Sequence, residues 1–249
     1  MLKENYLTEK NMMNKIKQWK QILAPYNTEP NSFAFDNFTF DNSALLVIDM
    51  QNYFLDEKSH AFVPSGMIAL KNIIKLADAF RKHQKPVIFT YFAVMQNEED
   101  PIKRWWNDTV MEGSYESRIV DELHSKKEDI NNENDINNIT KLNDLNNLNN
   151  LNYINNLILR KRTYSPFYKT KLEEFLRKNN IKNIVITGVL TNLCCETAVR
   201  EAFVRNFNIF FPIDATAAYN EEMHIATLKN LSYGFAVTIS TEEVLGKRL

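Results

Sequence analysis

The chain has 249 residues, few cysteines, few glycines and no excess of charge, and each shortage excludes a class of protein. Its two cysteines, Cys194 and Cys195, are adjacent and cannot link distant parts of the chain by a disulfide. This indicates a reducing compartment and predicts a cytoplasmic location. The five glycines form no Gly-rich phosphate loop, so we expect no nucleotide cofactor. A net charge of −1 argues against a nucleic-acid partner.

Long hydrophobic runs are also missing. No apolar stretch approaches the roughly 20 residues that a membrane span needs, and the N-terminus lacks the apolar core of a signal peptide. Hydrophobic residues nevertheless make up 44% of the chain, enough to bury a full core. We therefore expect a globular protein without a membrane partner.

The sequence does contain a regular alternation of strand-like and helix-like segments. Six apolar runs are typical of buried strands, at 44–48, 86–91, 157–161, 184–186, 208–214 and 236–239. Helical patterns lie between them, at 67–82, 170–179, 196–202 and 221–231. Because strand–helix–strand units give right-handed crossovers between parallel strands, we predict an α/β fold. Its expected form is a three-layer α/β/α sandwich on a mainly parallel, six-stranded, Rossmann-like sheet.

Residues 1–40 precede this alternation, and we predict that they form an N-terminal helical extension to a domain of residues 41–249. One helical face of the extension is apolar and consists of Met13, Ile16, Trp19, Ile22 and Leu23. Such a face fits a membrane-surface helix or an arm packed on the body or on a neighbouring subunit. The pattern favours the packed arm.

A low-complexity insertion at 131–156 interrupts the domain. About half of it is asparagine, and isoleucine or leucine recurs at every third position. A period of three drifts by about 60° per step on a helix, so these apolar residues never share one face. We predict a mobile surface loop without chemistry that can be shortened without loss of the fold. A stacked array is the alternative, but no turn signals support it.

Three chemically active residues stand at the ends of predicted strands. Asp49 ends the first strand, Lys161 ends the third, and Cys194 lies in the turn after the fourth. In a parallel sheet these ends meet at the edge where ligands bind. A carboxylate can take the thiol proton, an ammonium can stabilise the thiolate, and backbone N–H groups can hold an oxyanion. Each residue alone also fits a solvated strand end or a small buried side chain, but the combination favours catalysis.

The cysteine follows a strand and opens a helix, where the helix dipole and Lys161 are expected to lower its pKa. The four histidines show no spacing typical of a metal site or of a catalytic base; they are His60, His83, His124 and His224. We therefore predict no metal and no other cofactor.

Four blocks of sequence resemble the isochorismatase-like cysteine hydrolases. They are residues 46–54, 161–167, 188–198 and 214–216, and the resemblance spans roughly residues 42–245 apart from the insertion. It implies a catalytic Asp-Lys-Cys triad, with Asp49 as base, Lys161 as stabiliser of thiolate and oxyanion, and Cys194 as nucleophile. It also implies an oxyanion hole formed by the backbone N–H groups of Leu190 and Cys194, with a cis peptide between Val189 and Leu190.

Departures from the family pattern narrow the expected chemistry. Nicotinamidases of the family carry a metal-binding Asp-x-His-x-x-His after the second strand, whereas residues 91–96 contain no histidine. The resemblance therefore argues against a nicotinamidase and against a metal. Isochorismatases proper cleave a vinyl ether and lack the cysteine. Its presence here favours an amidohydrolase that attacks a non-peptide C–N bond through a covalent thioester-type intermediate.

Three functions remain open at this point. The first is a cysteine hydrolase of a small non-peptide amide, carbamoyl or ureido compound. The second is a vinyl ether hydrolase that uses Asp49 and Lys161 only. The third is a non-catalytic binding protein that senses redox state through Cys194 and Cys195. For the first, we expect a small-molecule substrate and a homo-oligomer, either a dimer or a tetramer.

Aromatic residues near the strand ends are candidates for the substrate pocket. The predicted lining is Phe54, Phe92, Trp105, Tyr164 and Phe167. The adjacent tryptophans Trp105 and Trp106 fit a pocket wall and a core position equally well. We expect Cys195 to face the packed side of its helix, because neighbouring helical residues point about 100° apart.

Overall fold

The structure, a computed structural model, describes residues 2–26, 38–123, 140–141 and 156–247 of the chain. Within these ranges the strands are β1 (Ser43–Ile48), β2 (Val87–Phe92), β3 (Thr140–Lys141), β4 (Asn156–Lys161), β5 (Asn183–Val189), β6 (Asn208–Pro212), β7 (Thr216–Ala217) and β8 (Val237–Ile239). The α-helices are α1 (Met12–Leu23), α2 (Asn52–Leu55), α3 (Gly66–Lys82), α4 (Pro101–Trp106), α5 (Leu172–Lys178), α6 (Glu196–Val204), α7 (Glu221–Gly234) and α8 (Thr241–Val244). A π-helical turn, Thr191–Cys195, joins β5 to α6.

The described strands form one parallel sheet in the order β3-β4-β2-β1-β5-β6-β8, with β7 beside β5. The six longer strands coincide with the six predicted ones, so the α/β fold with a mainly parallel sheet is confirmed. The strands β3 and β7 are absent from the prediction because two residues are too few to carry a periodic pattern.

The central strand β1 shows why its sequence is a continuous apolar run. Every residue of β1 is buried, because both faces of the sheet are covered. Leu46 and Ile48 pack into the layer that contains α6 and α7 residues, while Leu45 and Val47 pack into the layer that contains α3 residues. The two faces therefore alternate along the strand, as the three-layer prediction requires.

Strands β1 and β5 approach closely where both reach the edge that carries the site. Gly188 pairs with Ile48 and has φ 113°, a left-handed conformation. A Cβ atom built on Gly188 would lie 2.0 Å from the Ile48 carbonyl oxygen. Only glycine fits this position, since both the backbone conformation and the space exclude a side chain.

We expect Gly188→Ala to lower the free energy of unfolding by about 3 kcal/mol or more, because backbone strain and a clash with rigid backbone add together. Urea denaturation measures this loss. Gly234→Ala is the matched control, because no heavy atom lies within 4 Å of its added Cβ and its φ is not left-handed. Equal stability of the two variants would contradict the close approach of β1 and β5.

The N-terminal helix α1 packs on α7 of the same chain. Ile16, Trp19 and Leu23 are buried, and the Trp19 indole donates a hydrogen bond of 2.8 Å to Glu221. Met13, on the same predicted face, is 44% exposed. The packed arm is thus the arrangement observed for α1, and no described helix is long and apolar enough to cross a membrane. The division into 1–40 and 41–249 stays a prediction.

The predicted insertion at 131–156 lies outside the described residues except for three positions. Thr140 and Lys141 form β3, which pairs with β4, and Asn156 begins β4. Thr140 and Lys141 thus extend the edge of the sheet, and the mobile surface loop at 131–156 stays a prediction.

Candidate active site

Asp49 follows β1 directly and points into the interior. Its side chain is fully buried, and its φ of 50° lies in the left-handed region, which aspartate tolerates better than most residues. The Thr90 hydroxyl donates a hydrogen bond of 2.8 Å to Asp49 Oδ1. The neighbouring strand β2 therefore fixes the orientation of the carboxylate.

Lys161 is the last residue of β4, and its side chain lies between the other two predicted residues, Asp49 and Cys194. Its Nζ lies 2.6 Å from Asp49 Oδ2 and 3.4 Å from Cys194 Sγ. It also donates a hydrogen bond of 2.8 Å to the Thr163 carbonyl oxygen. The ammonium thus donates two hydrogen bonds, to Thr163 and Cys194, and forms an ion pair with Asp49. The structure thus brings Asp49, Lys161 and Cys194 together at the carboxyl edge of the sheet.

The ion pair between Asp49 and Lys161 is buried on both sides. Burial by itself lowers the pKa of Lys161, but the Asp49 carboxylate and Cys194 outweigh it, and the net pKa is raised. Lys161 therefore carries its positive charge at neutral pH and provides a fixed cation next to the thiol.

The pKa of the Cys194 thiol is raised, which contradicts the lowered pKa expected from the sequence. Burial is the largest cause, Asp49 adds to it, and Lys161 opposes it without prevailing. The thiol is therefore protonated in the resting protein, so an attack by this sulfur would need a base. Asp49 Oδ2 lies within reach of Lys161 but accepts no well-directed hydrogen bond from the described residues, which leaves a lone pair for the thiol proton.

The two cysteines face different surroundings. Cys194 borders a cavity, whereas Cys195 is fully buried and its Sγ lies 3.8 Å from the Thr187 carbonyl oxygen. Both thiols are free. The peptide between Val189 and Leu190 is cis, as the resemblance implies, and Leu190 also borders the cavity. The oxyanion hole at the N–H groups of Leu190 and Cys194 stays a prediction.

The cavity beside these three residues has a volume of about 190 Å³, and several of its lining residues are Phe, Tyr or Trp. Its aromatic members are Tyr53, Phe54, Phe92, Trp106, Tyr164 and Tyr219. The Trp106 indole donates a hydrogen bond of 2.6 Å to the Tyr164 hydroxyl, which joins two of these rings. A cavity of this size and lining suits a small molecule, and a molecule in it would lie next to Cys194.

Three of the five predicted lining residues, Phe54, Phe92 and Tyr164, do border the cavity. The other two do not. Trp105 is 79% exposed, because one helical step turns it away and brings Trp106 to the cavity instead.

Phe167 is also absent from the cavity wall. It is buried in the core, with its ring 6.3 Å from that of Phe207 and below the guanidinium of Arg205. The chain between β4 and α5 has turned back onto the sheet at this point, so the side chain packs into the layer beside α5.

Several residues that shape the site are missing from the sequence-based prediction. Gln51 is buried, donates hydrogen bonds to the carbonyl oxygens of Phe92 and Ser117, and accepts one from the Phe92 N–H. It thereby ties the ends of β1 and β2 together. Thr90 and Gln51 share a signal that sequence reasoning can use, because each is a polar residue in or beside an apolar strand run.

His224 supports the turn that carries Cys194. Its Nε2–H donates to the Ile213 carbonyl oxygen at 3.0 Å, and its Nδ1 accepts from the Thr191 hydroxyl at 2.9 Å. The ring is fully buried, and this burial lowers the pKa of His224 from 6.5 to about 4. Because the unfolded chain binds this proton at higher pH than the folded one, the contribution of His224 to stability falls as the pH drops from about 6.5 to about 4.

We expect His224 to lower the free energy of unfolding by about 3 kcal/mol between pH 7 and pH 4. Each tenfold difference in proton affinity between the folded and the unfolded chain changes this free energy by about 1.4 kcal/mol. Urea denaturation at a series of pH values measures the slope. His224→Gln should flatten the slope in this window, whereas His83→Gln, remote from the site, should keep it. An unchanged slope in His224→Gln would show that other groups cause the acid loss.

The described residues contain no group of three or more His, Cys, Asp or Glu side chains that could hold a metal ion. The site that the structure does show is a buried carboxylate, an ammonium and a thiol beside the cavity.

Comparisons with known proteins identify relatives of this chain. The sequence model of the Isochorismatase domain matches residues 43–145 and 137–243. Nicotinamidase 3 of Arabidopsis thaliana is 36% identical over 210 residues, which cover 81% of this chain and 86% of that protein. The Isochorismatase of Bacillus subtilis is 28% identical over 82% of this chain, and the match spans only 57% of its own length.

A solved structure shows the same fold. The N-carbamoylsarcosine amidase from Thermoplasma acidophilum superimposes with a TM-score of 0.62 at 24% identity, over 80% of this chain and 96% of that one. The domain match, which covers most of the chain, and the 36% identical relative show that this chain belongs to the isochorismatase-like hydrolase family.

Proposed function

We propose that this chain is a cysteine hydrolase that cleaves a non-peptide C–N bond of a small amide, carbamoyl or ureido compound. The observation that carries the proposal is the position of Lys161 Nζ, which contacts both Asp49 Oδ2 and Cys194 Sγ at the base of the cavity. Relatives of this chain include proteins named as amidases, which further supports this chemistry.

The first step forms a bond between Cys194 Sγ and the carbonyl carbon. Asp49 Oδ2 accepts the thiol proton as the sulfur attacks, and the carbonyl oxygen becomes an oxyanion. The negative charge thus moves from Asp49 to the oxyanion, while Lys161 stays close to both. The backbone N–H groups of Leu190 and Cys194 are the proposed donors to the oxyanion.

In the second step the protonated Asp49 gives its proton to the leaving nitrogen, and the C–N bond breaks. Ammonia or an amine leaves, and a thioester, or a carbamoyl-thioester, remains on Cys194. Water then attacks this carbon while Asp49 takes one of its protons. The C–S bond breaks, the sulfur regains the proton, and the acid product leaves.

The alternatives receive less support from the same contacts. A vinyl ether hydrolase needs no thiol, yet Cys194 lies within hydrogen-bond reach of Lys161. A redox sensor would pair the two cysteines, but Cys195 is turned into the core. Nicotinamide is a second candidate substrate, since a 36% identical relative is named for it, although residues 91–96 lack the histidines expected of a nicotinamidase.

The test is a screen of amide, carbamoyl and ureido compounds, including nicotinamide, for release of ammonia. Acid quenching of the best reaction, followed by peptide mass mapping, should reveal an acyl or carbamoyl adduct on the Cys194 peptide. Release of pyruvate from isochorismate without any ammonia-releasing substrate would favour the vinyl ether hydrolase. If no compound gives ammonia or an adduct, the proposal is wrong.

A further inference from the structure

A second polar cluster borders the cavity on its exposed side. It consists of Asp108, His60 and Tyr53, all of which line the cavity. Asp108 Oδ2 accepts a hydrogen bond from the Tyr53 hydroxyl and lies 2.7 Å from His60 Nε2, while Oδ1 accepts from the Thr109 N–H at 2.8 Å. The His60 side chain is 73% exposed and that of Asp108 32%, whereas Asp49 and Lys161 are fully buried. The cluster therefore stands nearer to solvent than the triad.

Asp108 is held as a carboxylate. Burial raises its pKa, but the hydrogen bonds from Tyr53, His60 and the backbone outweigh burial, and the net pKa is lowered. Any substrate that reaches Cys194 must share the cavity with this negative charge.

The described residues that line the cavity offer no available cation to balance a second negative charge. Lys161 is their one lysine or arginine, and the buried Asp49 carboxylate, 2.6 Å from its Nζ, already balances its charge. His60 is paired with Asp108. A substrate carboxylate that enters this cavity would lose its hydration without gaining a charged partner. Burying an unpaired charge in this way is unfavourable in free energy.

The size and wall of the cavity suit a flat ring. An engineered protein cavity of about 150 Å³ accommodates benzene, and the cavity here measures about 190 Å³. Rings of Phe54, Phe92, Trp106 and Tyr164 border it, and such rings favour stacked or edge-to-face contacts with another ring.

We infer that the substrate is an uncharged compound with one flat ring and an amide or carbamoyl group, and that Asp108 is a specificity-determining residue that rejects carboxylate-bearing compounds. This inference rests on the proposed function. It places N-carbamoyl acids and ureido acids, which carry a carboxylate, outside the preferred substrates.

The experiment compares two compounds of nearly equal shape and different charge, 4-nitrobenzamide and 4-carbamoylbenzoate. Ammonia release should give a kcat/KM at least 100-fold higher for the neutral nitro compound. In Asp108→Asn this ratio should fall at least tenfold, mainly through a lower KM for the carboxylate compound. Asp56→Asn changes the net charge equally at a residue outside the cavity lining, so it should keep the wild-type ratio.

Equal or better turnover of the carboxylate compound would overturn the inference while leaving the proposed function intact, because ammonia would still be released. An unchanged ratio in Asp108→Asn would show that Asp108 does not determine the preference for the neutral compound. If no amide in the screen turns over, the proposed function fails, and calorimetric binding of the same two compounds to Cys194→Ala decides the inference separately. Tighter binding of the nitro compound supports it, and equal or tighter binding of the carboxylate compound overturns it.

Discussion

Cys194→Ala is expected to abolish turnover, with a loss on the order of 10³-fold or more, because the covalent step disappears. Cys195→Ala is the matched control, one residue away, and should keep its activity because its thiol faces the core. The control should lose roughly 1 kcal/mol of unfolding free energy, the packing contribution of a small buried side chain. Steady-state ammonia release and urea denaturation measure the two effects.

Alkylation by iodoacetamide provides an independent check on the nucleophile. Cys194 borders the cavity, so it should react faster than Cys195, and its labelling rate should rise with pH because burial keeps the thiol protonated at neutral pH. Faster labelling of Cys195, or wild-type turnover by Cys194→Ala, would mean that the nucleophile is assigned to the wrong residue.

Asp49→Asn is expected to have the second large effect, on activity and on stability together. Loss of the proposed base should lower kcat by about 10²–10⁴-fold. The same change leaves the buried Lys161 ammonium without its counter-charge, and breaking a buried pair in this way costs about 3–5 kcal/mol.

The double variant Asp49→Asn/Lys161→Met separates the two effects. Removing both charges should restore much of the lost stability, since no unpaired ion remains in the interior, but it should not restore activity. Lys71→Met removes one partner of the exposed ion pair with Glu9 and should leave the protein's stability nearly unchanged. If Asp49→Asn is as stable and active as the wild type, the buried pair has neither of the roles assigned to it.

The sequence alone determined the sheet and the three residues at its edge. A parallel strand covered on both faces is mostly apolar, so residues 44–48 of β1 and 184–186 of β5 stand out as continuous apolar runs. The polar residues that follow parallel strands emerge at one edge of the sheet, so the sequence alone indicates that Asp49, Lys161 and Cys194 lie near one another. The homo-oligomer and the cytoplasmic location stay predictions.

Tertiary structure decided what surrounds those three residues. Whether Trp105 or Trp106 meets the cavity depends on the phase of a six-residue helix, which two adjacent tryptophans cannot reveal. The direction in which the Cys194 pKa moves depends on how deeply the thiol is buried beside a carboxylate, and no local pattern records depth. Asp108 meets His60 across 48 residues and Tyr53 across 55, so only the folded chain brings this cluster together at the cavity.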